Sequence, residues 1–156
     1  MQIRNAQMED IPQLHALDEE RLILIRQSDP RYDGAIIDFA ARLRNPDAAI
    51  IIGEHDSRLA GFITAWTAAS PYVELTADAA LIDAMMLDAH QYHAGLGRQL
   101  VRAMRDSFAK QNINHISILV PRYHAVEQAF WRALGANKDP EPPQEPTLST
   151  LWMRLP

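Results

Sequence analysis

Two glycines one residue apart, Gly95 and Gly97, stand where an apolar run gives way to a helical pattern, in the segment MMLDAHQYHAGLGR from Met85 to Arg98. This is the sequence form of a strand feeding a glycine-containing loop at a helix N-terminus. Such a loop presents several backbone N–H groups together, and the helix dipole adds partial positive charge, so the place suits a phosphate or pyrophosphate. On these residues alone a tight turn accounts for the glycines equally well, and the rest of the chain has to decide. Other chemistries are narrower. The histidines at 15, 55, 90, 93, 115 and 124 include no pair with HExxH spacing, so no metal site is expected. The absence of cysteine excludes disulfides, thiolate metal sites and a cysteine nucleophile.

The 156 residues fit one domain large enough to bury a core, and 47% hydrophobic with 22% charged residues describes a globular chain. The start, MQIRNAQMED, lacks the apolar centre of a signal peptide. No apolar run approaches the ~18 residues of a membrane span, so a cytoplasmic location without membrane association is expected. A formal net charge of −5 argues against a general nucleic-acid binder and is compatible with a cationic or neutral small substrate.

The elements that must position the glycine loop follow from periodicity. Met1–Arg4 reads as an edge strand. Asp10 and Pro12 open a helix whose apolar positions Ile11, Leu14, Leu17, Leu22 and Ile25 run to Arg26 or Gln27. SDPRYDG, residues 28–34, breaks it, and a second helix is expected over Ala35–Leu43 before Asn45-Pro46. Ala48–Gly53 and Leu59–Thr67 flank the polar EHDSR turn as an antiparallel hairpin. After a looser stretch to Asp78, the apolar run Ala80–Leu87 enters the loop. Leu96, Leu100, Met104 and Phe108 then recur every four residues, with Arg98, Arg102, Arg105 and Lys110 on the other side. The basic residues read as a solvated face, apart from Arg98 in the first turn. Ile116–Val120 is a strand stopped by Pro121, and Ala125–Leu134 a helix stopped by Gly135. Residues 137–146, NKDPEPPQEP, are expected to be a loop, and Thr147–Leu155 a final strand. The order β-α-α-β-β-β-α-β-α-β predicts a mixed α/β fold, one sheet with helices packed on it.

With that order in place, the chain resembles the GCN5-related N-acetyltransferases, the GNAT family of acyl-CoA-dependent acyltransferases, over nearly its whole length. IRNAQMEDIPQL looks like the family's first strand and helix. MMLDAHQYHAGLGRQL looks like the cofactor motif [R/Q]-x-x-G-x-[G/A], with Tyr92 in place of Arg or Gln. HAVEQAFWRALGA is similar to the N-x-x-A-x-x-x-Y-x-x-x-G region, with His124 where Asn is common and Trp131 where Tyr is common.

The resemblance implies a single acetyltransferase domain over 1–156, with acetyl-CoA or another acyl-CoA as co-substrate and no metal. Loop amides from Tyr92 through His93, Ala94, Gly95, Leu96, Gly97 and Arg98 would hold the pyrophosphate, and the backbone of Met86 and Leu87 would pair with the pantetheine arm. His124 would either hydrogen-bond near the thioester or be a helix-capping or surface histidine. Trp131 would pack against the cofactor or the core. In the implied reaction an amine attacks the thioester directly. Asp83 would take the amine proton, with Asp88 as second candidate, unless Asp83 is an exposed residue on a half-solvated face. An indole is not a titrating acid, so the thiolate proton would come from Tyr123, Tyr92 or solvent. Asp29, Arg31, Tyr32, Tyr72 and Glu74 are candidate contacts for the acceptor, a primary amine of a small molecule or peptide; a homodimer is left open. The rivals are a non-catalytic acyl-CoA-binding module of the same fold, and an unrelated α/β protein binding a nucleotide through the glycine loop.

Overall fold

A computed structural model describes residues 1–68, 70–71, 74–91, 95–138 and 148–154, without the side chains of 91 and 148–150. Its strands are β1 (Gln2–Asn5), β2 (Ala48–His55), β3 (Arg58–Trp66), β4 (Ala79–Leu87), β5 (His115–Pro121), β6 (Asn137–Lys138) and β7 (Leu148–Arg154). Its helices are α1 (Ile11–Ser28), α2 (Phe39–Leu43), α3 (Leu96–Lys110) and α4 (Ala125–Ala133). The strands form one sheet in the order β1-β2-β3-β4-β5-β7-β6. Every neighbouring pair is antiparallel except β4 and β5, which run parallel with α3 as their crossover.

The expected elements are all present, with three differences of physical interest. Asp10 does not cap α1. Its carboxylate accepts the Gln7 N–H at 2.7 Å, closing a short 3-10 turn, and a two-pronged Arg4 guanidinium at 2.8 and 2.9 Å. The second helix begins at Phe39, because the Ile37 N–H is taken by Asp18 Oδ2 at 2.8 Å and the Asp38 carboxylate caps Ala41 at 3.0 Å. Residues 35–37 therefore have a tertiary use for their backbone that competes with helix. Asn137 and Lys138, expected in a loop, form the short edge strand β6 against β7.

The sheet separates two apolar layers. One face packs on α3 and α4 through Ile82, Leu87, Leu96, Leu100, Met104, Phe108 and Trp131. The other packs on α1 and α2 through Leu14, Leu17, Phe39, Phe62, Ala84 and Met86. Within β4 the residues facing each layer change phase at one point. Thr64 pairs with Ala84 and Ala65 with Ile82, so Asp83 is the extra residue of a β-bulge. The pairing of β4 with β5 ends at the same place, at Ile82↔Ile118, although β4 runs on to Leu87 and β5 to Pro121. The two parallel strands thus separate into a fork whose arms are the last residues of each.

Candidate active site

A cleft of about 650 Å³ lies at the fork, in the range of small-ligand sites. The end of β4 contributes Met85, Met86 and Leu87, and the start of α3 contributes Gly95, Gly97 and Arg98. The N-terminal part of α4 contributes His124, Val126, Glu127 and Phe130, while Arg21 and Leu24 reach it from α1. Elements on both faces of the sheet therefore meet where β4 and β5 part.

Gly95 is the N-cap of α3 with φ of +76°, a left-handed conformation that glycine adopts without strain. A Cβ placed on it would meet nothing within 4 Å, so the residue is required by backbone conformation and faces open space. Gly97 is required for close approach: a Cβ there would stand 3.1 Å from the Phe130 ring and 3.3 Å from Leu87. The amides of Leu96, Gly97 and Arg98 are first-turn N–H groups with no intrahelical acceptor. The side chain of Leu96 is buried in the core. Tyr92, His93 and Ala94 of the expected loop lie outside the described residues.

On the β4 arm, Met85, Met86 and Leu87 line the cleft. Beyond Ile82 their edge toward β5 has no ladder partner among the described residues, so backbone donors and acceptors are free to receive an extended amide-bearing chain.

Asp83 is occupied differently from what was expected. Its Oδ1 accepts Arg42 Nη1 at 3.0 Å and the Thr64 hydroxyl at 2.7 Å; its Oδ2 accepts Arg42 Nη2 at 2.7 Å and the Trp66 indole N–H at 3.2 Å. The side chain is 3% exposed and does not line the cleft. Four donors on two oxygens fill the in-plane lone pairs, leaving no position from which to take a substrate proton. Arg42 also lies 4.8 Å over the Trp66 ring, so Asp83 ties α2 and β3 to the bulge. Asp88 accepts the His90 amide at 2.9 Å in the turn after β4.

Of the two places expected for Trp131, the cofactor or the core, the structure shows the core. Trp131 is fully buried, edge-on to Phe130 at 5.3 Å between centroids, and it is Phe130 that borders the cleft. The Trp131 indole donates to Glu127 Oε1 at 3.3 Å, and the other Glu127 oxygen lies 3.1 Å from His124 Nδ1. The sequence reading missed Glu127, although its places three after His124 and four before Trp131 put all three on one helical face.

Tyr123 is 53% exposed on the turn before α4 and interacts with Arg31, while the cleft lining begins at the next residue, His124. Arg31 is held protonated by Asp29, whose Oδ1 accepts its Nε at 3.2 Å and its backbone N–H at 3.1 Å. The buried Asp29 Oδ2 has no hydrogen-bond partner among the described residues. Glu74 is exposed on the connection before β4, and Tyr72 lies outside the described residues. Tyr32 is close enough to Arg21 to favour its charged form. Arg21 itself was missed. It is 8% exposed, its Nε donates to Asp18, and the Asp18 and Glu127 carboxylates offset the desolvation that burial imposes on its guanidinium. No local pattern marks such a residue, because its role depends on α1 crossing the fork.

The chain belongs to the acetyltransferase (GNAT) family, whose model matches residues 9–136. Its fold is similar to that of the PaiA N-acetyltransferase from Thermoplasma acidophilum, solved in complex with coenzyme A (TM-score 0.77, 16% identity, covering 99% of this chain and 98% of that one). It is also similar to a tetramutant of the BH1408 protein from Bacillus halodurans (TM-score 0.79, 14% identity, 94% and 99%). A third similar structure is the ribosomal-protein-S18-alanine N-acetyltransferase from Escherichia coli (TM-score 0.68, 18% identity, 99% and 92%). At these identities the likeness establishes the fold. A search of curated proteins gave no match.

Proposed function

We propose that the protein is an acyl-CoA-dependent N-acyltransferase, with acetyl-CoA as the donor and a primary amine of a small molecule or peptide as the acceptor. The observation that carries this reading is the meeting, in one cleft, of the Gly95–Arg98 helix start with the unpaired end of β4. The first supplies amides and dipole to a pyrophosphate, and Arg98 adds a cation. The second supplies a strand edge to the two amides of a pantetheine arm. A neighbour of the same fold was solved with coenzyme A, which fits this reading.

The amine attacks the thioester at the fork, and a β4 amide near Met86 or Leu87 polarises the carbonyl and receives the developing oxyanion. Holding thioester and amine in one cleft makes the step effectively unimolecular. Asp83 enters as the residue that opens the fork. Asp29, Arg31 and Tyr32 remain our candidates for acceptor contact, since they follow α1, the helix that reaches the cleft through Arg21 and Leu24.

Thermal unfolding with ligand tests the reading. Acetyl-CoA and CoA should raise Tm, by an amount equivalent to about 2.7 kcal/mol at a hundred times Kd, while ATP and NAD leave it unchanged. No shift at saturating acetyl-CoA would refute it, as would unimpaired CoA binding by Gly95→Glu, which puts a carboxylate at the pyrophosphate. A non-catalytic acyl-CoA-binding module is the second reading, favoured by the core position of Trp131, which leaves α4 without a phenol there. Thiol release over a panel of polyamines, amino acids, aminoglycosides and peptides separates the two.

A further inference from the structure

The face of α4 that borders the cleft holds a hydrogen-bonded chain, Trp131 to Glu127 to His124, whose order fixes the proton positions. The indole can only donate, so Glu127 Oε1 accepts it at 3.3 Å. The carboxylate is 10% exposed, and its Oε2 lies 3.1 Å from His124 Nδ1. An ionised carboxylate only accepts, so Nδ1 carries the hydrogen and the neutral imidazole keeps its lone pair on Nε2, the nitrogen on the far side of the ring. His124 and Glu127 both line the cleft, and the His124 side chain remains 25% exposed toward it. A largely buried carboxylate fixing the tautomer of an imidazole whose second nitrogen has no hydrogen-bond partner among the described residues is the arrangement that makes histidine a general base.

We propose that His124, oriented by Glu127, carries the proton from the attacking amine to the departing CoA sulfur. This rests on the acyltransferase reading and adds to it the group that moves the proton. As the amine nitrogen bonds to the acyl carbon, His124 Nε2 takes the proton that nitrogen must lose. As the C–S bond breaks, the imidazolium returns that proton to the sulfur, leaving an amide, a free thiol and neutral histidine. One residue serves both ends because nitrogen and sulfur are attached to the same carbon. His124 is the catalytic residue; Glu127 and Trp131 are positioning residues. Among the described residues, the charged and titratable groups near the ring are Glu127 on α4, Arg122 and Tyr123 on the preceding turn, and Arg98 from α3 and Arg21 from α1, which line the same cleft. Arg21 and Arg98 oppose accumulation of positive charge on the imidazole, and Glu127 favours it.

The test uses the intact chain, with folding and CoA binding of each variant verified by thermal shift. Bound CoA is titrated by the ultraviolet absorbance of its thiolate, a readout that needs no acceptor. His124→Asn, which keeps a hydrogen-bonding side chain but does not titrate, should change the pH at which bound CoA ionises; Glu127→Gln should change it in part. With the best acceptor of the amine panel, His124→Asn should lower kcat/KM by about 100-fold or more and flatten the pH dependence of kcat/KM. Glu127→Gln should lower the rate less and change that pH dependence only in part. If His124→Asn binds CoA normally and leaves both the thiol titration and the pH profile as in the wild type, the relay is overturned while the acyltransferase reading stands. If the wild type binds no CoA, the reading beneath it fails.

Discussion

Asp83 was legible as the one carboxylate in the body of its strand, but its occupation was not. Its partners Arg42, Thr64 and Trp66 lie 41, 19 and 17 residues away, and they converge on it only because the bulge turns the side chain toward α2. The glycines were legible for the opposite reason, since a left-handed N-cap and a helix start are local events. From the fourfold satisfaction of its carboxylate, Asp83→Asn should cost about 3–5 kcal/mol in urea unfolding, because it leaves the buried Arg42 guanidinium uncompensated. The shape of the pH profile of kcat/KM should be unchanged, and a lost limb would restore Asp83 as the base. Asp18→Asn should be comparably destabilising, since Asp18 supports Arg21 and the Ile37 amide together.

At the scale of elements, the strands and long helices were readable because apolar period and burial agree: Leu96, Leu100, Met104 and Phe108 are each at most 1% exposed. The start of α2 was not, because a distant carboxylate claims the Ile37 amide before any helix can use it. The two-residue β6 was not, because such a strand exists only through its partner β7. The packing of α3 against α4 near the cleft gives a sharp expectation. Gly97→Ala must displace Phe130 or Leu87, so it should lower stability by about 1–3 kcal/mol and weaken CoA binding together. Gly95→Ala meets no neighbour but must adopt φ of +76°, so its cost should be conformational and smaller in its effect on the Phe130 side of the cleft.

For the whole molecule, the charged tie at the first edge of the sheet sets how the fold meets acid. Arg4 bonds both Asp10 and Glu54, joining β1, the 3-10 turn before α1, and β2. The Arg4 guanidinium, with the Gln7 amide, holds the Asp10 carboxyl below its ordinary value against the opposing effect of burial. A group depressed in the folded state contributes its full stability above its unfolded pKa of about 3.9, and loses it as pH falls through the lower folded value. Urea unfolding measured from pH 6 to pH 2 should therefore show a fall in stability that begins near pH 4. Asp10→Asn should be about 1–3 kcal/mol less stable at pH 6 and flatter below pH 4. An unchanged slope would mean that other carboxylates govern the acid limb. The fork between β4 and β5 has a consequence for folding energetics as well as for chemistry. Past Ile82 and Ile118 the β4–β5 ladder stops, so among the described residues the sheet has a gap in its middle in hydrogen-bond terms. A bound pantetheine would act as a short surrogate strand. Amide exchange at residues 85–87 should then slow markedly on adding CoA, with the protection extending into the β5 arm.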